Sequence, residues 1–192
     1  ELLELAIKVF EAEDPFYTNH AAKVEAMSLA IGRRLQWSGE MLETLRYACR
    51  FHDIGMMGAI YELTSQEISL SDKEYARIKY HPIIGYTIAV PLDNAYPISE
   101  ANFQHHEFLD GTGYPNGIAG EKLRTEARIL AFSEIFIGLL SDRPHRKGRT
   151  FAEATKEIAT FVPEKLDENI LKAFQEEQEV IRKDLQALIP NR

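Results

Sequence analysis

Cysteine and tryptophan each occur once in 192 residues, and basic side chains fall short of acidic ones, 22 against 30. The lone cysteine, Cys49, excludes a disulfide framework within the chain and suits a reducing, cytoplasmic setting, where it reads as a small core residue. A formal charge of −8 excludes a broad surface for a nucleic-acid polymer, because phosphate-backbone affinity comes from clustered Lys and Arg. An anionic ligand must therefore find positive charge locally. No run approaches the roughly 20 apolar residues that a membrane span requires. The opening ELLELAIKVF has no basic stretch ahead of its apolar residues, so no signal peptide is visible. No methionine precedes Glu1, as expected of a piece of a longer protein. Alternating Val, Ile and Thr runs of strand type are also scarce.

What remains is helical. With 45% hydrophobic residues the chain can bury one core, and its apolar positions recur at spacings of three and four, which predicts an all-α domain. The pattern predicts helices over residues 2–13 and 17–36, the second burying His20, Val24, Met27, Ile31 and Leu35 along one stripe. Ser38 is placed to cap a helix that carries Leu42, Leu45, Ala48 and Cys49 and delivers His52 and Asp53 at its end. Residues 58–70 read as a loop. Ser71 and Glu74 form a capping-box pattern, and the helix they start should restart at His81-Pro82, where proline removes a donor. A helix is predicted over 99–108, followed by the glycine-rich DGTGYPNGIAG, an ordered loop with unusual backbone angles. Thr125 can cap the helix EARILAFSEIFIGLLS, and two helices, over 151–161 and 167–189, close the chain.

Of six histidines, His20, His52, His81, His105 and His106 fall at inward positions, helix breaks or loop junctions. A single buried histidine is ordinarily a hydrogen-bonded core residue, but five neutral imidazoles buried without partners would each cost free energy. A shared divalent cation resolves the difficulty. Several His with Asp53 and a further carboxylate suit Fe, Mn, Co, Ni or Zn better than Ca or Mg. His52 and Asp53 point apart from a helix end, so the imidazole can bind one ion while the carboxylate bridges two. Ligands are too many for one tetrahedral ion. Two ions about 3.5 to 4 Å apart would use them all, trap a hydroxide, and clamp a phosphoryl group under in-line attack.

These residues sit in five ordered motifs: YTNH, FHDIG, HPIIG, HHEFLDGTGYPNGIAGEKL and RILAFSEIFIGLLSDRPHR. From residue 16 to 174 the chain resembles the HD-GYP branch of the HD phosphohydrolase superfamily, whose members hydrolyse cyclic di-GMP. The resemblance implies an HD-domain helical bundle over residues 16–192, behind a connecting helix over 1–15, with an ordered GYP loop that carries Glu107, Asp110 and Tyr114. It implies His52 and Asp53 as the catalytic pair, one metal on His20, His52, Asp53 and Glu134, and a second on Asp53, His81, His105 and His106. Iron or manganese is the expected metal, with Ni, Co or Zn compatible. Substrate contacts are implied at Tyr114, Arg143, Arg146 and position 56. As purely structural roles, Glu107 would brace the loop, Asp110 cap its turn, and Arg143 pair with a helix C-terminus.

The chain departs from the family beside the chemistry. A lysine expected to reach a substrate phosphate is Met56, the aspartate of the ADVFDA segment is Glu134, and its second aspartate is Ile137, followed by Gly138. His145 replaces a tyrosine, and Phe16 stands where some members carry an acidic ligand for a third metal, so two metals are expected. Loss of one charge-assisted hydrogen bond at Met56 costs roughly 1.5 to 3 kcal/mol. The expectation is a slow cyclic di-GMP phosphodiesterase. Its alternatives are a module that binds metal or nucleotide and signals through a protein partner, and a hydrolase of another cyclic dinucleotide. Fusion to a receiver or sensor module fits such domains. The first helix suits either a connecting or homodimerising element or a core helix.

Overall fold

The computed structural model describes residue 5 and residues 19–56, 71–142 and 146–188. The predicted helix over 2–13 and the loop over 58–70 lie outside or almost wholly outside these residues, as do Phe16, Arg143 and His145. Among the described residues the structure is helical, without a β-strand, and no helix is long and apolar enough to cross a membrane.

The helices are α1 (His20–Arg34), α2 (Gly39–Phe51), α3 (Asp72–Ile78), α4 (His81–Ala89) and α5 (Ser99–Gln104), then α6 (Thr125–Leu140), α7 (Phe151–Ala159), α8 (Glu168–Glu176) and α9 (Gln178–Ala187). A short 3₁₀ turn, Ile54–Met56, follows α2. The centre is α6, whose Ile129, Leu130, Phe132, Phe136 and Ile137 are all essentially inaccessible. A helix apolar on nearly every side must be surrounded, and α1, α5, α7 and α8 pack around it. Phe174 of α8 closes the core against Phe136 and Phe132, at ring separations of 4.8 and 5.4 Å. Burial of each ring contributes about 1.5–3 kcal/mol. Where α1 crosses α6 the Ser28 hydroxyl donates to Ser133 at 2.8 Å. That crossing sets His20 and Glu134, on the same two helices, facing each other.

Most boundaries follow local chemistry. Ser38 accepts from the Met41 amide, and Ser71 and Glu74 complete the expected capping box. The chain restarts at His81, as the following proline requires. Four expectations shift. Helix α1 runs from His20 rather than residue 17, with Asn19 at its N-cap in the left-handed region at φ 55°. It ends before Gln36, which turns left-handed at φ 60°. The amides of Gln36 and Trp37 then close on the carbonyls of Arg33 and Gly32, a Schellman-type stop built without glycine. Helix α5 stops at Gln104 rather than 108. Thr125 opens α6 instead of capping it, and the Arg124 amide is satisfied by the Gln104 side chain at 2.8 Å. The expected last helix is two, broken at Glu177, whose amide falls back on the carbonyls of Ala173 and Phe174 while the Gln178 side-chain amide donates to the carbonyl of Gln175.

Candidate metal centre

Each histidine reaches the site because a helix ends there. His52 follows the last turn of α2, His81 begins α4 after the end of α3, and His105 and His106 follow α5. Successive residues on a helix diverge by about 100°. The early stop at Gln104 is what lets His105 and His106 converge. Gly55 fixes the next distance, since a Cβ there would lie 2.1 Å from the His81 carbonyl oxygen. The turn after Asp53 therefore rests directly on the backbone of α4.

Two clusters result among the described residues: His20, His52 and Glu134, and Asp53, His81, His105 and His106, with the ligand atoms of each lying within 4.8 Å of one another. Asp53 joins them. Its Oδ2 lies 3.2 Å from His52 Nε2 and 3.9 Å from His20 Nε2, while its Oδ1 lies 3.2 Å from His81 Nε2 and 3.9 Å from His105 Nε2. Glu134 Oε2 completes the first cluster at 2.8 Å from His20 Nε2 and 3.3 Å from His52 Nε2.

Tautomers are set by the backbone. The Nδ1 atoms of His52, His81 and His105 lie 2.7, 2.8 and 2.5 Å from the carbonyl oxygens of Cys49, Ile78 and Asn102. A carbonyl only accepts, so each Nδ1 carries a proton and, in the neutral ring, each Nε2 presents a lone pair to the site. His52 Nε2 is fully buried without a well-directed hydrogen bond, and His81 Nε2 lies 3.1 Å from His105 Nε2. Two lone pairs so placed repel, and a cation between them removes the repulsion. The donor set thus fits divalent metal, with imidazole nitrogens oriented by outer partners.

The electrostatics agree. Burial drives His105 well below the usual histidine range, reinforced by His106 and His81, and burial pushes His106 down to about 3. Both stay neutral, as ligands must. Burial works to raise Asp53 and Glu134, but the facing imidazoles of His52 and His81, and of His20 and His52, hold these carboxyls well below the ordinary range. For His52, burial favours the neutral ring, yet Asp53 and Glu134 raise it well above its usual value. The pair of carboxylates demands a cation, and a proton on His52 answers when metal does not.

The GYP loop is built onto this floor. The buried Glu107 accepts from the amides of Asn116 and Ile118 at 2.7 and 3.1 Å, so it braces the loop, and Asp110 accepts from the Thr112 amide at 2.9 Å, capping the turn. A Cβ on Gly113 would come within 2.4 Å of the His106 carbonyl, so only glycine permits the close approach that places Tyr114. Tyr114 stacks on His106 at 4.7 Å. Met56 and Ile137 are buried, at 3% and 1% exposure, so neither presents a polar group to the opening. Arg146 donates to the carbonyl of Gly138 at 2.9 Å and to that of Leu139 at 3.4 Å, clasping the end of α6. The carbonyl partners of the histidines were not foreseen from sequence. Their signal was positional: His52, His81 and His105 each follow a helix end and bond three residues back.

A family model described as HD domain matches residues 4–170. The chain is 28% identical over 171 residues to a cyclic di-GMP phosphodiesterase of Pseudomonas aeruginosa, covering 88% of this chain and 41% of that protein. It is 30% identical over 139 residues to a 3'3'-cGAMP-specific phosphodiesterase of Vibrio cholerae, covering 72% of this chain and 30% of that protein. It therefore spans less than half the length of these relatives. A solved structure of a cyclic GMP-AMP specific phosphodiesterase of V. cholerae shares the fold, with TM-score 0.71 and 18% identity over 97% of this chain and 49% of that one.

Proposed function

The chain belongs to the HD domain family, and, given that membership, we propose that it hydrolyses cyclic di-GMP with two divalent metal ions. The observation that supports this reading best is the split of the Asp53 carboxylate between the two histidine clusters. In this reading His20, His52 and Glu134 would hold one ion and His81, His105 and His106 the other, with the Asp53 carboxylate available to both. Iron or manganese suits the mixed nitrogen and carboxylate set, and cobalt, nickel or zinc is compatible.

Bound divalent ions polarise phosphoryl oxygens and lower the pKa of water, the chemistry that in-line phosphoester hydrolysis needs. The chain's own residues do the rest. Two carboxylates against two divalent charges leave a net positive pocket in an acidic protein, which draws in an anionic phosphodiester. The carbonyls of Cys49, Ile78 and Asn102 keep the imidazoles aimed. The side chains of Asp53 and Glu134, 14% and 15% exposed, border the open side where substrate would approach. Tyr114 offers a wall for a nucleobase, and Arg143 and the donors that α6 leaves on Arg146 are further contacts.

A second reading, cyclic GMP-AMP as substrate, is favoured by the similarity to the V. cholerae enzymes. Metals recognise phosphate and do not read bases. Protein loaded with Mn or Fe is therefore incubated with each cyclic dinucleotide and product followed by chromatography. A faster kcat/KM for cyclic di-GMP is expected. Two equivalents of bound metal with no linear dinucleotide or mononucleotide from either compound would overturn the proposal.

A further inference from the structure

Lys79 stands beside the second cluster, held by rings. Its Nζ lies 4.7 Å from the centroid of Tyr75 and 5.3 Å from that of Tyr114, which also stacks on His106. Lys79 caps the C-terminus of α3, so the turn that delivers His81 also aims this amine. Among the described residues no carboxylate lies within ion-pair distance of its ammonium. A lysine paired with a carboxylate has its charge spent. One resting on aromatic faces keeps it for a further anion.

Position then selects the anion. The Tyr114 ring touches both the ammonium and His106, which links the amine to the cluster through one shared ring. A ligand that sits at the cluster and extends past Tyr114 brings its next anionic group toward the ammonium. A cyclic dinucleotide carries two phosphodiesters in one macrocycle, so when one sits at the cluster the other lies to its side. We infer that Lys79 binds the phosphodiester that is not being cleaved. This rests on the reading of the pocket as a cyclic-dinucleotide site, and it gives that site a means of preferring a substrate with two phosphates over one with a single phosphate.

The test uses the metal-loaded chain and the variants Lys79→Met and Lys79→Arg. Equilibrium binding of cyclic di-GMP is measured over a range of salt, and kcat/KM is compared for cyclic di-GMP and bis(p-nitrophenyl) phosphate, which has one phosphodiester. Lys79→Met should weaken cyclic di-GMP binding about tenfold or more, flatten its salt dependence, and lower the ratio of the two kcat/KM values to a similar degree, with Lys79→Arg recovering most of each. Binding within twofold of wild type overturns the assignment. So does an equal fall on both substrates, or a loss of bound metal, since either would mean that Lys79 only steadies Tyr114. Wild-type protein that neither binds nor hydrolyses a cyclic dinucleotide overturns the functional reading itself, a result separate from any behaviour of the variants.

Discussion

His81 and His105 face each other with their Nε2 atoms 3.1 Å apart while the Nδ1 of each is committed to a backbone carbonyl. Neither can turn to hydrogen-bond the other, so the folded chain holds an electrostatic conflict that a cation relieves. Metal should therefore stabilise the fold by linkage. Chelated protein is expected to unfold at lower temperature, and free metal at 100 times Kd should restore about 2.7 kcal/mol. Thermal unfolding with and without Mn measures this directly, and an unfolding temperature indifferent to metal would contradict it.

Without metal, the pH dependence should show a maximum. An unfolded histidine takes its proton near pH 6.5, whereas burial holds folded His105 far lower and His106 to about 3. Below that pH only the unfolded chain binds these protons, so stability falls with acid, by up to about 1.4 kcal/mol per pH unit for each group. His52 acts oppositely. Burial lowers it, but Asp53 and Glu134 raise it further, so its contribution is full below pH 6.5 and is lost as pH rises through the folded value. Unfolding of chelated protein between pH 4.5 and 8.5 should peak near 6.5. A monotonic rise with pH would refute the assignment of charge on His52.

Glu107 sits next to His106 in sequence but serves the loop. Replacing it by alanine strands the amides of Asn116 and Ile118, at about 1–3 kcal/mol for each that stays dry. Denaturant titration of Glu107→Ala should show this loss with two metal equivalents still bound. Loss of metal at full stability would instead make Glu107 a ligand.

Gly55 separates packing from flexibility. Gly55→Ala drives a Cβ into the His81 carbonyl and the Gly85 amide, at 2.1 and 2.7 Å, and should cost more than the roughly 1 kcal/mol of an average substitution. Gly39, at the start of α2, has nothing within 4 Å of the equivalent position, so Gly39→Ala should be neutral or stabilising. Denaturant midpoints of the two variants decide the matter. Equal midpoints would show that the turn after Asp53 does not rest on α4.

Much of the site was legible because its chemistry shows in side-chain type. Five inward histidines with Asp53 point to a metal-binding arrangement, and the fold gathers them with Glu134 into two clusters able to hold metal ions. Caps at Ser38 and Ser71 were legible because they are local. Where helices stop was not. Gln36 turns left-handed without glycine, α5 ends so that two neighbouring histidines converge, and Glu177 breaks an otherwise continuous stripe. These are tertiary decisions, made by contacts distant in sequence. The same holds for Lys79, an ordinary surface lysine until Tyr114 is seen to arrive from a loop 35 residues later.

The central claim is that one carboxylate joins two metal sites, and metal stoichiometry tests it most directly. Elemental analysis of protein dialysed against limiting free Mn should find two equivalents per chain in wild type, about one in Glu134→Ala and in His106→Ala, and close to none in Asp53→Ala. Wild-type protein that saturates at one equivalent, or Asp53→Ala that keeps two, would contradict the account.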